Sequence, residues 1–512
     1  MLTSNGRRLR RVAAAQRRSR ASWAVPLAVF LLVSVLADTL LGEAVGLVIG
    51  IALFLLVMRS PGKSFLVLIA ILPFQLVILP VAFRFGVPGA IVRPAASYRD
   101  LIVLGIAAAG LRNAVRERHR LDAFDKLGLA YLAIVTLYLA VPTLLVRGPS
   151  VDFPGPPLDV NVRLLAYRVD VGFVVLALGM RHAPIAPEIR DRVLRVVVVV
   201  GAIVAAVALF EFTASSSWNN FAVNTIQLPR YEQQILNTTR QDPTDIRQYV
   251  VVAGNKLTRP GSTLFNPLEA GFYLVISLGA GLELIARNKA RASVLATIVI
   301  ALGLLATYVR TAVIGAIVLG FYSVRAGPGR SSAARTRMTI LLIAGLVFLI
   351  PAVASTGVGS RTSSAGQDQS STEHLDSLNA GLHALATDPM GKGLGTQPGV
   401  GDRFHTATKL TSEDAYLQVG NELGIPEMIV FVALIIALLV RLRRARNSQP
   451  DDPLTSAAEA IGVALVIGGF FLHVWTYFSV ALTFWGIAGL VIGVAERSAT
   501  PAPRDAPAIA AV

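Results

Sequence analysis

No cysteine occurs among the 512 residues. That removes disulfides, thiolate metal centres and cysteine nucleophiles, and leaves any long loop to hold its shape by packing and hydrogen bonds. Charge is also scarce: Asp, Glu, Lys and Arg make up 15% of the chain, against roughly 25% in a typical globular domain. Acidic residues are the scarcer sign, 31 against 47 basic. The polar linkers that would divide a soluble chain of this length into compact domains are missing. What is present is apolar, 54% of the residues, arranged in runs of membrane-spanning length with short polar stretches between them. This pattern excludes an ordinary soluble protein and predicts an all-α, polytopic bundle of transmembrane helices.

The apolar runs fall at 24–41, 43–58, 64–82, 99–113, 126–146, 164–180, 193–213, 266–286, 292–308, 311–325, 337–354, 426–441, 458–478 and 480–495. They predict about 12–14 spans, some of them short for a hydrocarbon core of ~30 Å. The first run follows a basic tail with no small-residue cleavage site behind it, which predicts a retained helix rather than a signal peptide. Most of the basic residues lie on short segments that alternate with barren ones: Arg7 to Arg20, Arg59 and Lys63, Arg112 to Lys126, Arg181 to Arg195, Arg287 to Arg291, Arg325 to Arg337, Arg441 to Arg446, and the tail. The positive-inside rule then places both termini in the cytoplasm. Topology and contact with anionic lipid account for the net charge of +16, so nucleic-acid binding is not needed to explain it.

The resulting division is a basic tail (1–23), N-terminal transmembrane helices (24–213), an external loop (214–263), central transmembrane helices (264–354), a large external loop (355–425), C-terminal transmembrane helices (426–495) and a cytoplasmic tail (496–512). Trp218, Tyr231 and Tyr249 predict that the first loop is a folded lid. The second opens with a Ser-, Gly- and Gln-rich stretch, Ser360 to Ser371, that reads as unstructured. Thr372 is a plausible helix N-cap, followed by Leu375, Leu378, Leu382 and Leu385 at helical spacing, and Asp388-Pro389 ends that helix. Asp170, Glu211 and Glu283 are read near span ends.

Three polar patches carry the chemistry: Arg259-Pro-Gly-Ser-Thr-Leu-Phe-Asn266-Pro267, Thr307-Tyr-Val-Arg310-Thr311, and Ser412-Glu413-Asp414-Ala-Tyr416-Leu-Gln418 running on to Asn421-Glu422-Leu-Gly-Ile425. Each also has a plainer reading. Arg259 can snorkel to headgroups, Asn266-Pro267 can begin a helix, and Glu413 and Asp414 can be acidic residues favoured by a helix dipole. Arg310 is harder to dismiss, because a cation between apolar helices is costly.

In this order, and with the turn Pro389-Met-Gly391-Lys-Gly393-Leu-Gly395 between the second and third patches, the set resembles the O-antigen ligase/polymerase family of membrane glycosyltransferases. The resemblance covers roughly 259–440. It implies a GT-C-like bundle with two long external loops in the bacterial cytoplasmic membrane. It implies a polyprenyl-diphosphate-linked glycan as donor, and a glycan or lipid-linked acceptor, joined at the external face among membrane lipids. Arg310 and Arg259 would stabilise the departing diphosphate, and Glu413, or Asp414 in its place, would take the acceptor's proton. Asn266, Arg403 and His405 would help to hold the substrate. Ligases of the family place a histidine and an asparagine where this chain has Glu413 and Asp414, which favours polymerase-like chemistry. No Asp-x-Asp is present and His374, His383 and His405 lack ligand spacing, so no metal and no cofactor are expected. The alternative class is a multi-span transporter or a flippase for lipid-linked glycan, which would favour internal repeats and charges at mid-membrane.

Overall fold

The computed structural model describes residues 40–140, 160–236, 238, 242–252, 255–287, 291–325, 369–396 and 413–499. The apolar run at 337–354 lies outside them, as does nearly all of the run at 24–41. The others are helical where described, although 458–478 loses its helix at Gly469. The helices are α1 (Leu40–Arg59), α2 (Pro61–Ile71), α3 (Gln75–Arg84), α4 (Gly89–Ala95), α5 (Tyr98–Arg116), α6 (Ala123–Ala140), α7 (Val160–His182) and α8 (Glu188–Thr213). After them come α9 (Ser215–Asn220), α10 (Leu228–Ile235), α11 (Pro267–Arg287), α12 (Arg291–Ala306) and α13 (Arg310–Arg325). The last are α14 (Gln369–Thr387), α15 (Ala415–Ser448), α16 (Pro453–Gly469) and α17 (Phe478–Ala499).

Among the described residues six helical segments are long and apolar enough to cross a membrane: Pro61–Arg84, where a 3-10 turn joins α2 to α3, then α6, α8, α11, α15 and α17. Four shorter apolar helices accompany them, α12, α16 and parts of α1 and α13. The most apolar stretch of α17 is 89% buried and that of α11 72%, against 33% for that of α2–α3 and of α6, so α17 and α11 are the inner helices and α2–α3 and α6 lie further out. The outer helices expose Leu55, Leu104, Leu111, Leu137, Ile203, Leu295 and Ile436. Scattered apolar residues are ordinary on a water-facing surface, but such residues along successive outer helices suit a hydrocarbon surround.

The centre is assembled by close backbone approach. A methyl on Gly489 of α17 would fall 2.2 Å from the Ala177 carbonyl oxygen of α7, and one on Gly493 would fall 2.0 Å from that of Arg181. Small residues let helices meet this closely where no hydrophobic effect separates lipid from protein. Where the same two helices end, the buried Arg181 guanidinium donates to Asp122 Oδ1 (3.0 Å), Asp125 Oδ1 (2.7 Å) and both Glu496 oxygens (3.0 and 2.7 Å). Arg441 of α15 also pairs with Asp122. This cluster ties the ends of α6, α7, α15 and α17 together.

Burial alone would raise the Asp122 carboxyl, but the hydrogen bond and charge of Arg181, with Arg441 behind it, bring it down from 3.8 to about 2. A carboxyl depressed on folding adds stability above its unfolded pKa and loses it as pH falls through the folded one. The melting temperature of the detergent-solubilised protein is therefore expected to carry an acid limb between about pH 4 and pH 2. Asp122→Asn should flatten that limb; an unchanged limb in the variant would remove Asp122 from its cause.

The 214–263 segment is folded, as its aromatics predict. It carries α9, a π-helical turn at Phe221–Thr225 and α10, with a second apolar cluster in which Trp218 stacks on Phe221 and Phe265 with ring centroids 5.2 and 5.6 Å apart. It also holds an antiparallel hairpin absent from the all-α expectation, β1 (Gln248–Val252) and β2 (Asn255–Arg259), pairing Gln248 with Arg259. The helix predicted to begin at Thr372 starts at Gln369, so the end of the stretch read as unstructured is helical. The sixth, 164–180 run brings a further correction: Asp170, read near a span end, lies mid-way along α7, within electrostatic reach of Glu422 and Glu427 on α15. A polar residue compatible with an apolar run by count alone can sit anywhere along it, and here α15 supplies polar company.

Candidate functional site

The first patch is a compact elbow between β2 and α11. Ser262 donates its backbone N–H to Glu211 Oε2 (2.7 Å) and its hydroxyl to the Val204 carbonyl (2.6 Å), which fastens the elbow to α8. Ser262 and Phe265 both adopt left-handed backbone, φ +54° and +52°, conformations that cost an L-residue energy and persist only where the surroundings impose them. Asn266 then caps α11: its Oδ1 accepts from the backbone N–H groups of Leu268 (2.9 Å) and Glu269 (3.3 Å), with Pro267 as the first helical residue. Asn266 is thus the N-cap of α11.

The second patch is the break between α12 and α13. Thr307 and Val309 are buried, Thr307 Oγ1 donates to the Leu304 carbonyl (2.7 Å), and Tyr308 is left-handed at φ +53°. Each helix has 16 residues and rises only about 24 Å, short of a ~30 Å hydrocarbon core. Arg310 is the first residue of α13. A cation at the positive end of a helix opposes the dipole, so the helix dipole does not explain its position.

In the third patch, Glu413 is exposed and its backbone N–H donates to Ser377 Oγ of α14 (3.0 Å). Asp414 is the N-cap of α15, its Oδ1 accepting from the N–H groups of Tyr416 and Leu417, both at 2.8 Å. Asp414→Asn, which preserves a cap, is therefore expected to keep both stability and any activity, whereas Asp414→Ala should lose ~0.5–2 kcal/mol in denaturant titration. An Asn variant that is stable yet inactive would instead put the carboxylate in the chemistry. Arg403 and His405 lie outside the described residues.

The patches meet at Arg259. Burial pulls its guanidinium below the ordinary arginine range; Tyr477 and Glu413 pull it back up, and Arg310 pushes it down. All three are thus within electrostatic reach of it. Its Nε is buried without a hydrogen-bond partner. Tyr477, just before α17, has its phenol pushed up by burial and then by Glu269 and Glu413, with Arg259 opposing. It stays a neutral donor. Glu269, in the first turn of α11, accepts from the Ser479 N–H (3.1 Å) and hydroxyl (2.5 Å) in the first turn of α17. The N-terminal ends of α11, α13, α15 and α17 therefore collect around Arg259 and Arg310. Helix N-termini and guanidinium groups both favour negative charge, and Glu413 and Glu269 already supply some of it there.

The glycine turn supports this corner from below. Pro389 to Gly395 pairs with α15 where that helix breaks at Gly424: Lys392 N–H donates to the Asn421 carbonyl, Gly393 N–H to the Glu422 carbonyl and Ile425 N–H to the Pro389 carbonyl, each at 2.8 Å. Tyr138 of α6 donates its hydroxyl to the Met390 carbonyl (2.6 Å).

Sequence reading found Arg259, Arg310 and Glu413 but not Tyr477 or Glu269. Tyr477 closes an apolar run and Glu269 opens one, so both read as span edges; only the fold puts them beside the patches. A different group, His119, Asp125 and His182, offers three metal-ligand atoms within 4.8 Å of one another, but Arg181 already donates to the Asp125 oxygen nearest His182, and a guanidinium there competes with any cation. Comparison with known protein families and with curated proteins finds no match. What fold and site define is a helical bundle with helices long and apolar enough to cross a membrane, and a corner where Arg259, Arg310, Glu413 and Tyr477 meet at the N-terminal ends of α11, α13, α15 and α17.

Proposed function

We propose that the chain is a membrane glycosyltransferase that polymerises or ligates polyprenyl-diphosphate-linked glycan at the external face of the cytoplasmic membrane. The observation that carries this reading is that Arg259, Arg310 and Glu413, from three patches far apart in sequence, share one electrostatic neighbourhood. The reaction is a displacement at the anomeric carbon. The acceptor hydroxyl oxygen forms the new C–O bond, the bond to the diphosphate oxygen breaks, and the hydroxyl proton passes to the Glu413 carboxylate. The diphosphate leaves with an added negative charge, which Arg310 and Arg259 stabilise as fixed cations that need no reorganisation. The polyprenol chain lies in the bilayer, so the sugar of a flipped donor meets the helix ends where these residues gather. With both termini cytoplasmic, as the distribution of basic residues expects, this reading has that corner face outside.

Asp170, mid-way along α7 beside Glu422, is the observation that favours the second reading, a transporter or flippase. One experiment separates the two. Purified protein is reconstituted into vesicles with short lipid-linked glycan, and glycan length and sidedness are both followed. Longer glycan is the expected result. Movement of the glycan across the bilayer without lengthening would replace the transferase reading by the flippase one.

A further inference from the structure

A recess lies beside, not within, the Arg259 cluster. It has a volume of about 300 Å³ and is enclosed by the starts of α5, α11 and α17, the first turns of α7, the end of α10 and the junction of α2 with α3. That volume is at the lower end for small-molecule sites, which suits one compact unit and not a chain of them. Three charged side chains line it, Arg99, Arg168 and Glu269, and their charges are matched. Arg168 is paired with Asp100. Arg99 stands between Asp100, 3.8 Å from its Nε, and Glu269, with which it interacts electrostatically. Two cations thus face two carboxylates. A ligand with net charge would lose hydration here and find no counter-charge in return.

What the wall offers instead is hydrogen bonding of both senses, side by side. The guanidinium groups only donate, the carboxylate only accepts, and the Gln75 amide and Ser97 hydroxyl do both. A ligand hydroxyl also donates and accepts, so adjacent hydroxyls on a ring can satisfy paired donors and acceptors without bringing charge. The Arg99 guanidinium lies over the Phe478 ring, 3.5 Å from its centroid, which holds it in place before any ligand arrives. Leu76, Leu264 and Phe478 add apolar surface of the kind that covers the C–H face of a pyranose. From this we infer that the recess is a subsite for one uncharged sugar unit, a neutral hexose of the glycan. The inference rests on the transferase reading and names its substrate class: the unit bound here carries neither a carboxylate nor an amine. The recess adjoins the reaction corner through Glu269, which lines it and reaches Tyr477 electrostatically, and Tyr477 in turn reaches Arg259 and Glu413. A sugar held there lies next to the proposed point of transfer.

The test uses full-length protein in detergent and reads thermal stability against added glucose, galactose, N-acetylglucosamine, glucuronate and glucosamine. Sorbitol at equal concentration controls for stabilisation by exclusion of a polyol from the protein surface. At least one of the three neutral sugars is expected to stabilise saturably and beyond sorbitol, and glucuronate and protonated glucosamine are not. Ala96→Phe places a ring in the recess, which Ala96 lines, and should abolish the response. Gln75→Leu, which keeps the side chain's size and loses its amide, covers the case in which Ala96→Phe fails to fold. It should weaken binding roughly 3- to 10-fold, the worth of one neutral hydrogen bond. No saturable response to any neutral sugar would make the recess a solvated one and overturn the inference. An equal response to glucuronate or glucosamine, or a neutral-sugar response undiminished in Gln75→Leu or in folded Ala96→Phe, would overturn it too. Because no transfer is measured, a negative result leaves the transferase reading standing, and absence of transfer with sugar binding intact would count against that reading alone.

Discussion

Arg310→Ala is expected to lower transfer by about 10²- to 10³-fold while leaving membrane yield and melting temperature close to wild type. The magnitude is that of removing one preorganised group aimed at developing charge. The second half of the expectation follows from where the residue sits. Arg310 opens α13, so its charge opposes the helix dipole and the helix does not depend on it for capping. A structural arginine would show the reverse pattern, with falling stability and a proportionate loss of active protein. Arg310→Lys separates charge from shape: a point charge cannot hold two phosphate oxygens in a fixed plane, and activity should fall between alanine and wild type. Glu413→Gln is the companion variant. Loss of a general base costs typically 10²- to 10⁴-fold, and Glu413 is exposed, so its stability should be unchanged. The two variants are read in the same vesicle assay of glycan length. Wild-type transfer in either one removes that residue from the mechanism.

How far the sequence carried this site differs from residue to residue. Helix positions followed from apolar periodicity and length, because burial of the same few side-chain types produces both. The end of α14 followed from Asp388-Pro389, and the start of α11 from Asn266-Pro267, because capping and proline chemistry are local. The hairpin that ends in Arg259 was not legible: Gln248 to Val252 and Asn255 to Arg259 are too short and too mixed to stand out from a loop, and only pairing makes them strands. Distances across the bundle were not legible either. Tyr477 and Glu269 join the site through a helix pair whose contact no local pattern announces, and Asp170 looked like a span-end residue until α15 was seen to pass it.

The second large effect is expected at Gly424, and it concerns the turn that sequence comparison with a family pattern would treat as a separate motif. Gly424 lies inside α15 with φ +87° and ψ +168°, a region of backbone space that is essentially glycine-only and costs other residues ~1–3 kcal/mol. The surrounding space makes the requirement stricter. A methyl at Gly424 would fall 2.8 Å from the Met390 carbonyl carbon, and a methyl at Gly391, itself at φ +76°, would fall 2.5 Å from the Gly424 nitrogen. Two backbones therefore touch here with no room for a side chain on either. The three backbone hydrogen bonds between Pro389–Gly393 and Asn421–Ile425 depend on that approach. Gly424→Ala is expected to lower the melting temperature and to reduce transfer beyond what the lost stability explains. The first turns of α15, with Glu413 before them, are held against the turn by these bonds, and a displacement of about 1 Å at a reacting group can cost 10²-fold. Gly391→Ala, on the other side of the same contact, should give the same pair of losses, and the double variant should lose less than the sum, since either methyl already separates the strands of backbone. Additive losses would mean that the two glycines act on different structures, and that the turn is independent of the helix break at Gly424.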